Sequence, residues 1–478
     1  MPRYTLPNDL YTYQKEDCEK LLQPQNWLVF SEMGTGKTPE TLNVIEQGGF
    51  QCPLIVCPNS LKLEWKRQIE EWVGKDMTAV CTGDSYTKLG PILYSFKNGQ
   101  KYRILNYESF RSEINLEILS YIPFDIIVFD EIHKLRNPKT KLVEGSINKL
   151  TGKREGGIWR FLEQHPKAKI IGLSGSPIMN YPNDLYVPLS ACNPKKYPKS
   201  LGSWHAFMYK YCWWSDGRYG PYIYGSRNLD KLREEVSPFV IRRTKKEILP
   251  FLPDKYYKRS LLEMRPDQRK LYNQMEDELR ILLDTGEPLW STNVLSTLTR
   301  LRQINLDPKI LGITCSSAKT DFLTDLVEAT GEKLVIFSCF EKYIYLLSTI
   351  FFRDIPHIVI TGKVPVNNRI EEVQRFQNDD KIKLCLGTIQ TMGEGLTLTA
   401  SSNVVLTDRW WNQPVCEQAI DRLHRIGQKS SVQVIYPICE NSIDESLDHI
   451  LERKHEASQQ YYGEAAVRQV LIEERIKR

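Results

Sequence analysis

Gly34, Gly36, Lys37 and Thr38 stand in a spacing suited to holding phosphate, and the stretch Val29-Phe30-Ser31-Glu32-Met33-Gly34-Thr35-Gly36-Lys37-Thr38 reads as a P-loop. The backbone N–H groups of Met33, Gly34, Thr35 and Gly36, with the positive end of the helix that follows, would cradle phosphate oxygens. Lys37 would reach the β- and γ-phosphates of ATP, and Thr38 would hold Mg²⁺. The strict pattern begins with Gly where this chain has Ser31, and Gly-Lys-Thr also occurs in ordinary surface turns. The loop therefore needs support from the rest of the chain.

Asp130-Glu131-Ile132-His133 closes an apolar run from Phe124 to Phe129 that is broken only by Asp125. An acidic pair at the carboxyl end of a parallel strand suits Asp130 to Mg²⁺ and Glu131 to orienting or deprotonating water. The competing reading is a plain helix cap. Arg422 and Arg425, three residues apart, would share one helical face and reach a γ-phosphate as arginine fingers, unless they are surface arginines of an amphipathic helix. Tyr13-Gln14 offers an aromatic ring and an amide to an adenine, or a plain helix start.

These groups require elements to carry them. Trp27 to Phe30, Leu54 to Cys57, Phe124 to Phe129 and Lys169 to Leu173 read as buried strands, each followed by a helical or polar segment. The same alternation returns at Lys333 to Ser338, His357 to Thr361, Ile382 to Leu386 and Asn403 to Thr407, which implies a second parallel-sheet lobe without a second P-loop. Residues 185 to 315 are aromatic-rich and then helical and charged, and read as helical protrusions and an interlobe connection. Arg242-Arg243-Thr244-Lys245-Lys246 within them is a basic patch that would meet phosphates or simply form a solvated face. After Leu54-Ile55-Val56-Cys57-Pro58, Asn59 or Ser60 would cap a helix whose N-terminal amides could hold a DNA phosphate, while Trp65 falls at core spacing. Ser174-Gly175-Ser176-Pro177 would relay ligand state from the acidic motif.

The 478 residues suit two or three domains, and 41% hydrophobic with 26% charged residues describes a globular chain. A formal charge of +5 is too small to argue for nucleic acid by itself. The eleven cysteines form no Cys-x-x-Cys pair, which points to reduced thiols in an intracellular protein and away from zinc. No apolar run reaches the ~18 residues of a membrane span.

In order, Tyr13-Gln14, Gly36-Lys37-Thr38, Asp130 to His133, Ser174 to Pro177 and Gln418 to Gln428 resemble a superfamily-two helicase core. The finer resemblance is to the Swi/Snf-type DNA translocases, through Asp130 to Asn137, Pro238 to Lys245, Leu301-Arg302-Gln303, Gly393 to Leu398 and Asp408 to Pro414. The segment from Tyr219 to Lys255 is similar to the annealing-helicase subgroup. The resemblance implies an α/β fold of two RecA-like parallel-sheet lobes with helical protrusions and a C-terminal brace helix. The expected divisions are 1–189, 190–315, 316–441 and 442–478. It implies an ATPase stimulated by double-stranded DNA, including branched or forked DNA, with no membrane. Gly395 would join the nucleotide site, and DNA contacts would fall on Asn59, Ser60 and Lys62 in the first lobe and on Ser338, Gly362, Thr388 and Gln390 in the second. Departures are Ser31, Glu394 and the lack of a chromatin-reading, zinc or nuclease module, which points away from a chromatin role and suits a viral or bacterial origin. The alternatives are a strand-separating helicase, a nucleic-acid clamp without turnover, and an unrelated P-loop kinase, which would leave the second lobe without a purpose.

Overall fold

The apolar runs form strands because each is buried on both faces, which is what a parallel sheet covered by helices demands. The computed structural model describes residues 6, 8–81, 89–147, 152, 154–175, 181–217, 220–284, 292–392, 396–410 and 413–456. The chain divides into two units, Met1–Pro250 and Phe251–Arg478.

In the first unit, β1 (Trp27–Val29), β2 (Pro53–Cys57), β3 (Thr78–Val80), β4 (Tyr102–Asn106) and β5 (Ile126–Asp130) alternate with helices that include α1 (Thr12–Leu21), α2 (Lys37–Gln47) and α3 (Lys62–Trp72). A small antiparallel pair, β6 (Ser146–Ile147) and β7 (Arg154–Glu155), precedes β8 (Lys169–Leu173). A hairpin of β9 (Cys212–Gly217) and β10 (Gly220–Ser226) follows, and β11 (Val240–Ile241) returns to the sheet. The seven-stranded order is β11-β1-β8-β5-β2-β4-β3, all parallel. Alternate residues serve opposite faces: Leu28, Val56 and Phe129 join one core, while Val29, Ile55 and Val128 join the other. Asp125 interrupts the apolar run for a reason, since its carboxylate accepts the N–H groups of Gln51 and Cys52 and fixes the start of β2.

The second unit holds β12 (Lys255–Leu262), β13 (Leu334–Ser338), β14 (His357–Ile360), β15 (Leu384–Thr388), β16 (Asn403–Leu406) and β17 (Val432–Cys439) in the parallel order β12-β17-β16-β13-β15-β14. Two parallel α/β sheets, each clothed by helices, are the two RecA-like lobes that the sequence implied. The helix Ile443–Glu456 packs Ile443, Leu447 and Leu451 against Tyr272, Leu298 and Leu301 of the helices Pro266–Asp284 and Thr292–Leu306. Asp448 on it pairs with Arg259 at 2.9 Å and with Arg409.

The expected division at 189 and 316 is corrected. The range 190–315 contains the β9–β10 hairpin, β11 on one edge of the first sheet and β12 on one edge of the second. Two residues are too short for a periodic signal, and β12 is largely exposed, so neither carries the apolar run of a central strand. Among the described residues no helix is long and apolar enough to cross a membrane.

Candidate active site

The P-loop leaves β1 and turns at Gly34 and Gly36, whose φ angles of 79° and 82° lie in the left-handed region. Ser31 has no such angle, so the glycine of the strict pattern is not required there, and its buried hydroxyl has no hydrogen-bond partner among the described residues. Lys37 Nζ donates to the carbonyls of Ser31 at 2.8 Å and Glu32 at 3.0 Å, holding the ammonium inside the curve of the loop. Thr35 Oγ1 closes the turn on Glu32 O at 2.9 Å. Thr38 lies in the first turn of α2, and Met33 is buried against Gly175, where an added Cβ would meet Met33 Cγ at 2.4 Å.

Tyr13 and Gln14 flank the loop, but the structure gives them a task beyond base recognition. The Tyr13 hydroxyl donates to Thr35 O at 2.6 Å, and Gln14 Nε2 donates to Thr35 O at 3.3 Å and Gly36 O at 3.2 Å. Gln14 Oε1 accepts the N–H of Tyr11 in a cap at the start of α1. Gln14 is 2% exposed, so its amide serves the loop in this state.

The opposite flank of the loop is the supposed basic patch. Phe30 N–H donates to Ile241 O at 2.7 Å and Glu32 N–H to Arg243 O at 3.0 Å, while Glu32 Oε2 accepts the N–H of Lys245. Arg243 grips Asp17 of α1 with Nη2–Oδ1 at 2.7 Å and Nε–Oδ2 at 3.1 Å. Lys245 is buried. Arg243 and Lys245 therefore brace the nucleotide loop, because β11 lies beside β1, and are not a phosphate-facing patch.

β1, β8 and β5 are neighbours, so the P-loop, Ser174 and the Asp130–Glu131 pair emerge side by side at their carboxyl ends. Asp130 Oδ2 accepts Trp65 Nε1–H at 2.8 Å, Oδ1 accepts the N–H of Glu131 at 3.0 Å, and its carbonyl accepts the Tyr107 hydroxyl at 2.7 Å. Trp65, assigned to the core by its spacing, is buried and also orients the acidic motif. A lone indole N–H aimed from α3 leaves no mark in the sequence. Glu131 adopts the left-handed φ of 53° that lets the chain turn sharply after β5. Its Oε2 lies 3.2 Å from His133 Nδ1, and that nitrogen is 3.0 Å from Ser174 Oγ. Burial and the charge of Glu131 push the Asp130 carboxyl up to about 6. Burial acts the same way on Glu131, but the bond and charge of His133, with Lys37 behind them, hold it below the ordinary carboxylate range. The two carboxyls are set apart by their surroundings, and Glu131 is the one kept ionised. Ser174 touches the acidic motif through His133, whereas Ser176 and Pro177 lie outside the described residues.

In the second unit, the helix bearing the arginines ends at Ile420, and residues 421 to 427 form successive turns. Arg422 and Arg425 are therefore not on one helical face, a correction to the spacing argument. Arg422 is buried, and Arg425 donates to Asp421 O at 2.9 Å and Thr397 Oγ1 at 3.2 Å. Gly395 lies outside the described residues, as do Trp411 and Asn412.

The expected DNA-contact residues divide. Asn59 and Ser60 occupy a single 3₁₀ turn at the end of β2, with Asn59 exposed, and neither side chain caps α3. Gly362 and Gln390 are exposed beyond the neighbouring strands β14 and β15, where Thr388 bonds Thr391 at 2.9 Å. Two assignments are corrected for their side chains. Lys62 is buried with Nζ on Cys81 O at 2.6 Å, and Ser338 is fully buried with Oγ on Asp408 Oδ1 at 2.7 Å. The Asp408 carboxylate also receives Cys339 N–H and Arg302, so Ser338 belongs to a buried knot under the strand ends.

The loop, the acidic pair and the two parallel sheets define a P-loop fold of the two-lobed helicase type. A SNF2-related domain model matches residues 13–310, and a helicase conserved C-terminal domain model matches residues 318–427. The chain belongs to the SNF2-related family and carries a helicase conserved C-terminal domain. It is 27% identical over 443 residues to the DNA annealing helicase and endonuclease ZRANB3 of Mus musculus, covering 89% of this chain and 38% of that protein. It is 26% identical over 464 residues to an uncharacterised ATP-dependent helicase of Mycoplasma genitalium, covering 94% and 42%. The chain thus spans less than half the length of these relatives. A Sulfolobus solfataricus SWI2/SNF2 ATPase core in complex with dsDNA aligns with a TM-score of 0.43 and 24% identity, covering 100% of this chain and 98% of that one.

Proposed function

We propose that this enzyme hydrolyses ATP and uses the cycle to track along double-stranded DNA, displacing bound protein or moving branched junctions. The observation that supports it most is the meeting of the P-loop, Ser174 and the Asp130–Glu131 pair at three neighbouring strand ends. Lys37 neutralises the β- and γ-phosphates, and Glu131, held ionised, orients the attacking water and accepts its proton. The Thr38 hydroxyl and the Asp130 carboxylate are oxygen donors that fit Mg²⁺, whose charge would also draw the Asp130 carboxyl to its ionised form. When bound, Mg²⁺ neutralises charge developing on the phosphates. Arg422 and Arg425 serve as arginine fingers, a role worth ~10³ to 10⁵ in rate in related chemistry. Asn59 and Ser60 in one lobe, with Gly362, Thr388 and Gln390 in the other, meet the DNA backbone, which fixes position without reading sequence. A DNA motor of this kind works inside the cell, and the name of its mouse relative, a DNA annealing helicase and endonuclease, favours DNA as the substrate.

The test is the steady-state ATPase rate with no nucleic acid, single-stranded DNA, blunt duplex, forked DNA and duplex RNA, followed by displacement of a triplex strand. Duplex DNA should stimulate turnover and drive displacement, and Lys37→Ala should abolish both. Stimulation by single strands alone would replace this reading with a strand-separating helicase.

A further inference from the structure

The stretch Asn193–Asn228 is unlike the rest of the chain. Ten of its thirty-six residues are Phe, Trp or Tyr, against 10% for the whole protein. Six are Lys or Arg and only Asp216 is acidic, an excess equal to the formal +5 of the entire chain. Structurally it is the helix Leu201–Tyr211 followed by the β9–β10 hairpin, placed between β8 and β11 of the first sheet.

Part of that aromatic content is structural: Tyr197, Trp204, Phe207 and Tyr211 are buried in the core of the lobe beside Cys212 and hold the module rigidly. Two of the others, Tyr209 and Trp213, face outward. Trp213 is 47% exposed and its ring lies across Gly225, where an added Cβ would come within 3.1 Å of Trp213 Cδ1. The Arg227 guanidinium stands 5.0 Å from the centre of that ring. Trp214 packs on Tyr209 at 4.4 Å between ring centres, and Tyr209 is itself 40% exposed. Lys210 and Lys196, half in solvent, are steadied by Glu235 at 2.9 and 3.8 Å.

Presented aromatic faces interleaved with cations are the arrangement that takes unpaired bases by stacking and their phosphates by charge. A duplex offers its bases already stacked and would leave the Trp213 face unused. We propose that this module binds single-stranded DNA, with bases on Trp213 and Tyr209 and phosphates on Arg227 and the neighbouring lysines. Resting on the translocase reading, this gives the enzyme a grip on the unpaired arms of forked or gapped DNA.

The experiment measures binding of the full chain, without ATP, to a labelled thymidine 30-mer, a blunt duplex, and the same duplex carrying two single-stranded arms. The proteins are the wild type, Trp213→Ala, Trp213→Phe, and Trp213→Ala with Tyr209→Ala. Each base that loses its ring should weaken binding to the 30-mer and the fork roughly five- to a hundred-fold, with binding to the blunt duplex unchanged. Trp213→Phe, which keeps an aromatic face, should recover most of the loss. Equal affinity of all four proteins for the 30-mer and the fork, or an equal loss on all three DNAs, would overturn the proposal. ATPase stimulation by blunt duplex is read in parallel. Its absence in the wild type would refute the translocase reading while leaving the 30-mer comparison to decide the module.

Discussion

Arg243→Ala should loosen the nucleotide loop although the side chain reaches no phosphate. Asp17 is fully buried, and Arg243, 24% exposed, supplies it with three hydrogen bonds, while Lys20 stands 3.9 Å away as a poor substitute. Removing one partner of a buried pair costs about 3–5 kcal/mol, and partial solvent access to Arg243 brings the expectation to about 2–4 kcal/mol. For a unit of this size that lowers Tm by roughly 4–15 °C. Because α1 holds Thr35 and Gly36 through Tyr13 and Gln14, the KM for ATP should rise at least tenfold. The assay is thermal unfolding and ATP titration of Arg243→Ala, Asp17→Asn and the double variant. The two losses should overlap, with a coupling of about 1–3 kcal/mol. Additive losses, or destabilisation with an unchanged KM, would refute the brace and leave Arg243 as an ordinary surface ion pair.

Gly36→Ala should lower both stability and ATP affinity, because its Cβ would fall 2.2 Å from Gln14 Nε2 at a φ of 82°. Adding Gln14→Ala should relieve the clash, so that against Gln14→Ala alone, which already lacks the Gln14 bonds to the loop, the double variant is lower only by the left-handed strain of about 1–2 kcal/mol, read as a difference in Tm. Trp65→Phe removes the indole donor from Asp130 and should raise the Mg²⁺ concentration for half-maximal turnover about tenfold, as losses behind a metal ligand commonly do. The Glu235 carboxyl is held near about 2: burial raises it, but Lys210, Tyr211 and Tyr197 outweigh that. A depressed carboxyl contributes its stability above its unfolded value near 4.5 and loses it as pH falls toward 2. The Tm gap between wild type and Glu235→Gln should therefore be full at neutral pH and close across that window.

The P-loop half of the first lobe was legible because its strands are buried on both faces and its special residues are local. Gly34 and Gly36 announce a turn, and Asp130-Glu131 ends a strand of unbroken apolar residues. What escaped depends on distance or on edges. Arg243 meets Asp17 across 226 positions of sequence, so its residues look like a solvated basic run until the sheet closes. β11 and β12 have one neighbour each and lack the signature of a central strand. Lys62 and Ser338 sit at the strand ends where phosphate contacts were expected, but motif position fixes the backbone and not the direction of the side chain. No glycine or proline separates Ile420 from Arg425, so nothing local signalled that the helix stops before its arginines.

On the proposed reading of Tyr13-Gln14 as the adenine-binding pair, Gln14 would turn base recognition into a switch. One amide holds the Tyr11 cap at one end and the P-loop carbonyls at the other, so an adenine that engages it must take those bonds in exchange. Selectivity for the base and the shape of the phosphate loop become two readings of one rotamer. Inorganic triphosphate, which lacks a base edge, would leave that rotamer where it is, whereas ATP would shift its population. Nucleotide identity would then be felt in the turnover rate more than in the strength with which phosphates are held.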